Sequence, residues 1–336
     1  LLLVGDPEAI PFSFQYQLDV QYAVGRLSFD RLDEYRSYAE SVVAAETGGE
    51  RATDRTRRAC FFAPANPGDP VTASMNAHLV RPLAEKALGG RPGWEVEAAL
   101  GDEATQSRLG EMLDDAPALL FAACHGLGFA AGEPEQRELQ GALVCRDWPG
   151  PGSGRLDRGH YFAAEDVDGQ ARLQGLVAFC FACYGAGTPR WDEFTRKGPR
   201  RELAPSAFLG RLPQRLLGHP RGGALAVIAH VDRAWGYSLV WPEAGPQIVT
   251  FECALRRLLD GKPVGWAMEV FNQRYAELTA ELAAEVENLG FGKKPDEKAL
   301  AELWTAGHDA RNYAILGDPA VRIAVPSGSS GQGGAP

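Results

Sequence analysis

Short apolar runs alternate with amphipathic segments through most of this chain, and this alternation restricts the possible folds more than any other feature. Five apolar runs bounded by turn residues predict buried strands at 1–4, 59–63, 118–123, 173–182 and 224–231. Helical periodicity between them predicts helices at 31–45, 76–88, 106–113 and 205–217. Strands that alternate with helices form parallel sheets covered on both faces. The sequence therefore predicts an α/β fold whose reacting groups collect at the carboxyl ends of the strands.

Long helices replace this alternation from residue 247 onward. An amphipathic stretch at 266–289 is followed by Gly290 and Gly292, and an apolar run at 313–316 predicts a last strand. We therefore expect a helical region added on the C-terminal side. The tail 326–336 is rich in Gly and Ser, so we expect one domain over 1–325 followed by a disordered tail. Because the chain opens inside an apolar run without Met, we expect it to be part of a longer protein.

Charge and cysteine content argue against several classes of function. A formal net charge of -10 argues against direct nucleic-acid binding, which needs clustered Lys and Arg. No apolar run approaches the roughly 20 residues that cross a bilayer, so we expect no membrane contact. Six cysteines at irregular spacing, several inside apolar runs, predict reduced thiols in the cytoplasm.

Two of the predicted strands end in residues that can react together. The run 119–124 leads into His125 and Gly126, and the run 176–182 leads into Cys183. In neighbouring parallel strands the two side chains would lie side by side. An imidazole within reach of a thiol keeps the thiolate populated and later protonates the leaving amine. We therefore predict His125 as the base and Cys183 as the nucleophile.

Other interpretations of the same residues compete with this pair. Taken singly, a strand-end cysteine is usually a small buried hydrophobe, and a lone histidine is usually structural. Cys180 and Cys183 form Cys-x-x-Cys, which occurs in redox pairs and would supply half of a zinc site with Cys124 and His125. Residues three apart on a strand point to opposite faces, which argues against this pairing. A phosphatase loop is set aside because Pro189 stands where its arginine is needed.

The chain resembles the caspase-like cysteine peptidases and, within them, the bacterial CHAT-domain and gingipain-like branches. The resemblance rests first on the strand before His125-Gly126 and the strand before Cys183-x-Gly185. Further segments that fit this family are distributed over nearly the whole chain, at 2–7, 10–12, 22–27, 228–236 and 316–319.

The resemblance implies a mostly parallel six-stranded sheet flanked by helices, peptide-bond hydrolysis through a thioester, and neither cofactor nor metal. His125 and Cys183 match the family's dyad, and the backbone amides of Gly126 and Cys183 match its oxyanion hole. No third residue that would fix the imidazole is obvious, and the family often uses a backbone carbonyl there. The long segment 126–170, with a strand at 141–145, is expected to border the substrate cleft.

The substrate pocket departs from some members of this family. Relatives that cleave after basic residues often carry an acid two positions before the nucleophile, where this chain has Phe181, which we expect to contact the substrate. Asp232 is the candidate for supplying an acid instead, while Trp235 and Tyr237 would line a groove for an extended peptide. Two alternatives stay open: Asp232 pairs with Arg233, and Trp235 belongs to the core.

The leading hypothesis is a regulated intracellular cysteine endopeptidase that cuts a small number of proteins. Its expected partners are a protein or peptide substrate and a regulatory domain or partner chain. For CHAT relatives the resemblance implies antiviral defence or programmed cell death. One alternative is a catalytically silent interaction module, with the helices of 247–310 as its docking surface. A Cys-x-x-Cys zinc or redox protein is the other alternative.

Overall fold

Eight strands form one central sheet in the computed structural model, which describes residues 1–48, 57–86, 93–195, 198–241, 245–291, 294 and 296–325. The strands are β1 (Leu2–Val4), β2 (Gly25–Leu27), β3 (Arg57–Pro64), β4 (Trp94–Gly101), β5 (Leu119–Ala123), β6 (Val177–Phe181), β7 (Ala226–His230) and β8 (Tyr313–Gly317). Their spatial order is β1-β2-β8-β7-β6-β5-β3-β4. The pairing of β7 with β8 is antiparallel, and the other pairings are parallel.

Helices cover both faces of this sheet. They are α1 (Phe12–Asp19), α2 (Leu32–Thr47), α3 (Pro70–Met75), α4 (Arg81–Lys86), α5 (Gln106–Asp114), α6 (Gln136–Leu139), α7 (Arg211–Leu217), α8 (Ile248–Leu259), α9 (Val264–Gly290) and α10 (Glu297–Arg311). A π-helical turn, Asn76–Val80, joins α3 to α4. Buried side chains of α1, α2, α5 and α7 pack on one face, and those of α8 and α9 pack on the other with the α3–α4 segment.

Alternation along the central strands divides the core into two layers. Phe121, Phe179 and Phe181 point toward α8, where their rings meet Phe251. Cys180 points to the opposite layer. Because both faces are covered, these strands consist of continuous apolar residues, and this is the pattern that the sequence shows.

Short elements lie in the loops outside the central sheet. The described part of the chain has three two-stranded pairs and three 3-10 turns: Leu143–Val144 with Tyr161–Phe162, Gly187–Thr188 with Phe208–Leu209, Val240–Trp241 with Gly245–Pro246, and the turns Arg158–His160, Ala164–Asp166 and Gly236–Ser238.

The observed fold class matches the predicted one, although the sheet has eight strands rather than six. The added strands have weak sequence signals: β2 is three residues long, and β4 is an edge strand with partly exposed side chains. The helix predicted at 205–217 begins only at Arg211, because Phe208–Leu209 pairs as a strand. Residues 87–88 of the helix predicted at 76–88, and the tail 326–336, lie outside the described residues.

Candidate active site

His125 and Cys183 lie at the same edge of the sheet, just beyond the ends of β5 and β6. These two strands are parallel neighbours, and their last pair is Ala123 with Phe181. Continuing this register by two residues brings His125 opposite Cys183. The N–H of Cys124 donates to the carbonyl of Phe181 at 3.2 Å, so the strands stay together up to this point.

Gly126 lies in close backbone contact with Cys183. A Cβ atom added at Gly126 would lie 1.8 Å from the carbonyl oxygen of Cys183 and 2.9 Å from its nitrogen. Only glycine allows this approach, because any side chain would force the two segments apart. Within the described part of the chain, neither the Gly126 N–H nor the Cys183 N–H donates a hydrogen bond. Two free backbone donors therefore lie close together beside the thiol.

Asp69 contacts the imidazole of His125, a partner that the sequence did not indicate. Its Oδ2 lies 2.7 Å from Nε2 of His125, and its side chain is 4% exposed. Asp69 also accepts hydrogen bonds from the N–H of Val71 and the hydroxyl of Thr72. Burial would raise the pKa of Asp69, but His125 and these donors outweigh burial and lower it. A charged carboxylate therefore contacts Nε2, and Nδ1 is the ring nitrogen that Asp69 does not contact.

The position of Asp69 follows from its sequence neighbours. It lies between the end of β3 and α3, where its side chain caps the helix and Pro70 occupies the first turn. Since β3 pairs with β5, this helix start lies at the same edge as His125. The Asp-Pro pair after a predicted strand was the available signal for this residue.

The thiol of Cys183 is half-buried and makes a sulfur contact with a backbone carbonyl. Its Sγ lies 3.7 Å from the carbonyl oxygen of Ala234. Burial raises the pKa of Cys183, and the carboxylates of Asp232 and Asp309 raise it further, whereas Arg233 opposes them. Cys183 is therefore a protonated thiol in the resting structure, and it would need a base to react near neutral pH.

The loop after β7 brings Asp232 and Arg233 beside the cysteine. Asp232 is fully buried with its backbone in the left-handed region, at φ 64°. Its Oδ1 accepts from the N–H of Arg233 at 2.6 Å and lies 3.4 Å from Nε of Arg233. Arg233 also pairs with the buried Asp192. The alternative in which Asp232 pairs with Arg233 thus describes the resting structure, while a role for Asp232 toward substrate stays a prediction.

The other residues predicted for substrate binding lie in different surroundings. Phe181 is fully buried in the layer beneath α8, where a bound peptide would not reach its ring. Trp235 is half-buried, with its ring 5.4 Å from that of Phe194. Tyr237 is also half-buried, in a 3-10 turn. Trp148, from the long segment after His125, has its ring 5.9 Å from the imidazole and so borders this edge.

Cys180 lies on the strand and away from the candidate site. It is 4% exposed and belongs to the layer that includes Leu120 and Val227. Burial raises the pKa of Cys180 to about 12. Among the described residues, no group of three or more His, Cys, Asp or Glu side chains is arranged to hold a metal ion. Within the same ranges, no helix has the length and apolar character needed to cross a membrane.

Comparisons with known proteins identify the fold. No protein-family model matches the chain, and no curated protein matches it in sequence. A solved structure described as a protease superposes with a TM-score of 0.54 at 12% identity, covering 97% of this chain and 64% of that one. The complex of the pro- and mature domains of Porphyromonas gingivalis RgpB gives a TM-score of 0.54 at 15% identity, covering 97% and 66%. The chain has the caspase-like fold of these structures and spans about two thirds of their length.

Proposed function

We propose that this chain is a cysteine endopeptidase in which His125 activates Cys183. The observation that carries the proposal is the matched exit of β5 and β6, which brings an imidazole opposite a thiol beside two free backbone N–H groups. The likeness to a protease structure and to RgpB supports the same activity.

The proposed reaction proceeds in two stages. With Nε2–H donated to Asp69, Nδ1 of His125 takes the thiol proton, and the Cys183 thiolate attacks the carbonyl carbon of the scissile peptide bond. The N–H groups of Gly126 and Cys183 face the oxyanion that forms. The C–N bond then breaks as His125 gives its proton to the leaving amine, and a thioester remains. Water, deprotonated by His125, hydrolyses the thioester and releases the acid and the thiol.

The family resemblance supports a proposal for the biological role, and the burial of the cysteines supports one for the compartment. We assign the chain to the CHAT-domain side of the caspase-like peptidases, with a role in antiviral defence or cell death and a regulatory partner. The buried or half-buried thiols of Cys60, Cys124, Cys145, Cys180 and Cys183 suit a reducing compartment, so we propose that it acts in the cytoplasm.

Two matched cysteine variants test the proposal. Cleavage of a peptide library should be lost in Cys183→Ala and retained in Cys180→Ala, because only Cys183 lies beyond its strand at the edge that carries His125. Circular dichroism should show that both variants are folded. Equal cleavage by wild type and Cys183→Ala contradicts the assignment of the nucleophile.

An interaction module with an unused site is the second candidate. The raised pKa of Cys183 and the contact of its thiol with Ala234, rather than with the imidazole, favour this candidate. Labelling by a thiol-reactive peptide across pH separates the two functions. A peptidase should label at Cys183 near neutral pH in a manner that requires His125, whereas a silent module should label only as the free thiol ionises.

A further inference from the structure

A buried carboxylate in the last turn of α10 connects that helix to the segment 230–238. Asp309 is 1% exposed. Its Oδ1 accepts the N–H of Trp235 at 2.7 Å, and its Oδ2 accepts the hydroxyl of Ser238. Nε2 of His230 lies 3.2 Å from Oδ1. One side chain thus contacts the segment 230–238 at its start, middle and end.

The buried carboxylate of Asp309 and the buried polar groups of this segment satisfy each other. A buried carboxylate without partners is strongly unfavourable, and among the described residues the hydrogen-bond and ion-pair partners of the Asp309 carboxylate come from 230–238. Burial would lower the pKa of His230, but the contact with Asp309 outweighs burial and raises it. The pair is therefore a buried ion pair when His230 is protonated, and losing one partner leaves the other without compensation.

The same segment holds the residues that follow β6. The carbonyl of Asp232 accepts the N–H of Tyr184 at 2.7 Å, and the carbonyl of His230 accepts the N–H of Ala186 at 3.0 Å. In return the N–H of Asp232 donates to the carbonyl of Gly187 at 3.2 Å. A shift of 230–238 would therefore move the backbone on which Cys183 sits.

We propose that Asp309 is a positioning residue of the candidate active site: it holds the segment 230–238 against 183–187 and so sets where Cys183 lies relative to substrate. Its catalytic consequence rests on the peptidase function proposed above. Its structural consequence, an ordered segment 230–238, does not. A helix distant from the strand ends in sequence thereby takes part in forming the site.

Hydrogen exchange tests the structural consequence. In Asp309→Ala we expect the amides of 231–238 and 184–187 to exchange about 10-fold faster, while those of β3 and β5 stay protected. Asp309→Asn should lie between this variant and wild type, because an amide oxygen still accepts the N–H of Trp235. Glu302→Gln, on the same helix and in an ion pair with the exposed Lys298, is the matched control and should leave exchange unchanged.

Peptide cleavage by the same proteins tests the catalytic consequence. We expect kcat to fall on the order of 100-fold in Asp309→Ala, with partial recovery in Asp309→Asn and no change in Glu302→Gln. If Asp309→Ala does not fold, Ser238→Ala removes one partner of the carboxylate and should give a smaller change in the same direction. Unchanged exchange of 231–238 in folded variants overturns the proposal, whatever the kinetics. Wild-type protein that cleaves no peptide overturns the peptidase function, and the exchange result still decides whether Asp309 orders the segment.

Discussion

The imidazole Nε2 of His125 lies 2.7 Å from Oδ2 of Asp69, so a residue that begins a helix after β3 holds the candidate base at the end of β5. The two residues are 56 positions apart in the sequence. Their contact results from the pairing of β3 with β5, which brings the helix start and the strand end to one edge. The candidate site therefore has three residues, with a carboxylate where the family resemblance suggested a backbone carbonyl.

Replacing Asp69 tests its role in orienting His125. We expect Asp69→Ala to lower kcat on a cleaved peptide roughly 100-fold, because the ring loses the acceptor that fixes its tautomer and position. The variant also loses a helix cap, worth about 1 kcal/mol of stability. Asp296→Ala removes the comparable cap of α10 and should cost similar stability without loss of activity. Equal kcat in the two variants would assign Asp69 a structural role only.

Gly126→Ala tests the close approach of the two strand ends. The new Cβ would lie 1.8 Å from the carbonyl oxygen of Cys183, so the backbones must separate. We expect a loss of about 3 kcal/mol in the free energy of unfolding and loss of peptide cleavage. Gly128→Ala is the control, because its Cβ would meet Tyr184 at an ordinary 3.4 Å. Urea titration measures the free energy of unfolding of both variants. A midpoint of unfolding for Gly126→Ala equal to that of wild type contradicts the observed packing.

The pH dependence of stability reports on Asp232. Burial raises the pKa of Asp232 to about 6 from 3.8, so the folded state holds this proton more tightly than the unfolded state does. The contribution of protonated Asp232 to the free energy of unfolding is fully present below pH 3.8, and it is lost as the pH rises through 6. Relative to wild type, Asp232→Asn should therefore gain up to roughly 3 kcal/mol between pH 4 and pH 7.

An exposed acid provides the control of opposite sign. A hydrogen bond from Arg31 lowers the pKa of Asp33, so the contribution of Asp33 is present at neutral pH and is lost as the pH falls. Thermal unfolding of wild type, Asp232→Asn and Asp33→Asn across this pH range measures the differences. Parallel curves for wild type and Asp232→Asn would contradict the raised pKa.

The central strands could be predicted because burial on both faces requires continuous apolar runs. The run before His125 and the run before Cys183 stop where the sheet stops, so the two candidate residues stand out in the sequence. The short strand β2 and the edge strand β4 lack such runs.

Partners that depend on tertiary packing could not be predicted in the same way. Asp309 meets Trp235 across 74 residues and is an ordinary helical acid by sequence. Phe181 was expected near the substrate because of its position before the candidate nucleophile, but strand alternation turns its ring into the core. Local sequence indicates where a strand ends. Which distant residues contact that strand end depends on the order of strands in the sheet.

Arg26 gives physical meaning to the N-terminal segments that resemble the family. Its side chain is fully buried on β2, with Nε donating to Gln15 at 2.9 Å and Nη1 to the carbonyl of Gly5 at 3.0 Å. The guanidinium also lies 5.4 Å from the ring centre of Phe12. It therefore ties the turn after β1 and the start of α1 to the sheet.

Arg26→Met should loosen this N-terminal segment while the rest of the sheet persists. The substitution leaves the buried amide oxygen of Gln15 and the carbonyl of Gly5 without their donor, so we expect a loss of roughly 2–4 kcal/mol in the free energy of unfolding. Arg36→Met, at an exposed position of α2, is the matched control and should change stability by less than about 0.5 kcal/mol.

A double variant, Arg26→Met with Gln15→Met, tests the contact itself. Its loss in the free energy of unfolding should be smaller than the sum of the two single-variant losses, because Arg26→Met already leaves the Gln15 oxygen without its donor. Strict additivity in chemical denaturation would show that the contact between Arg26 and Gln15 contributes nothing to the fold.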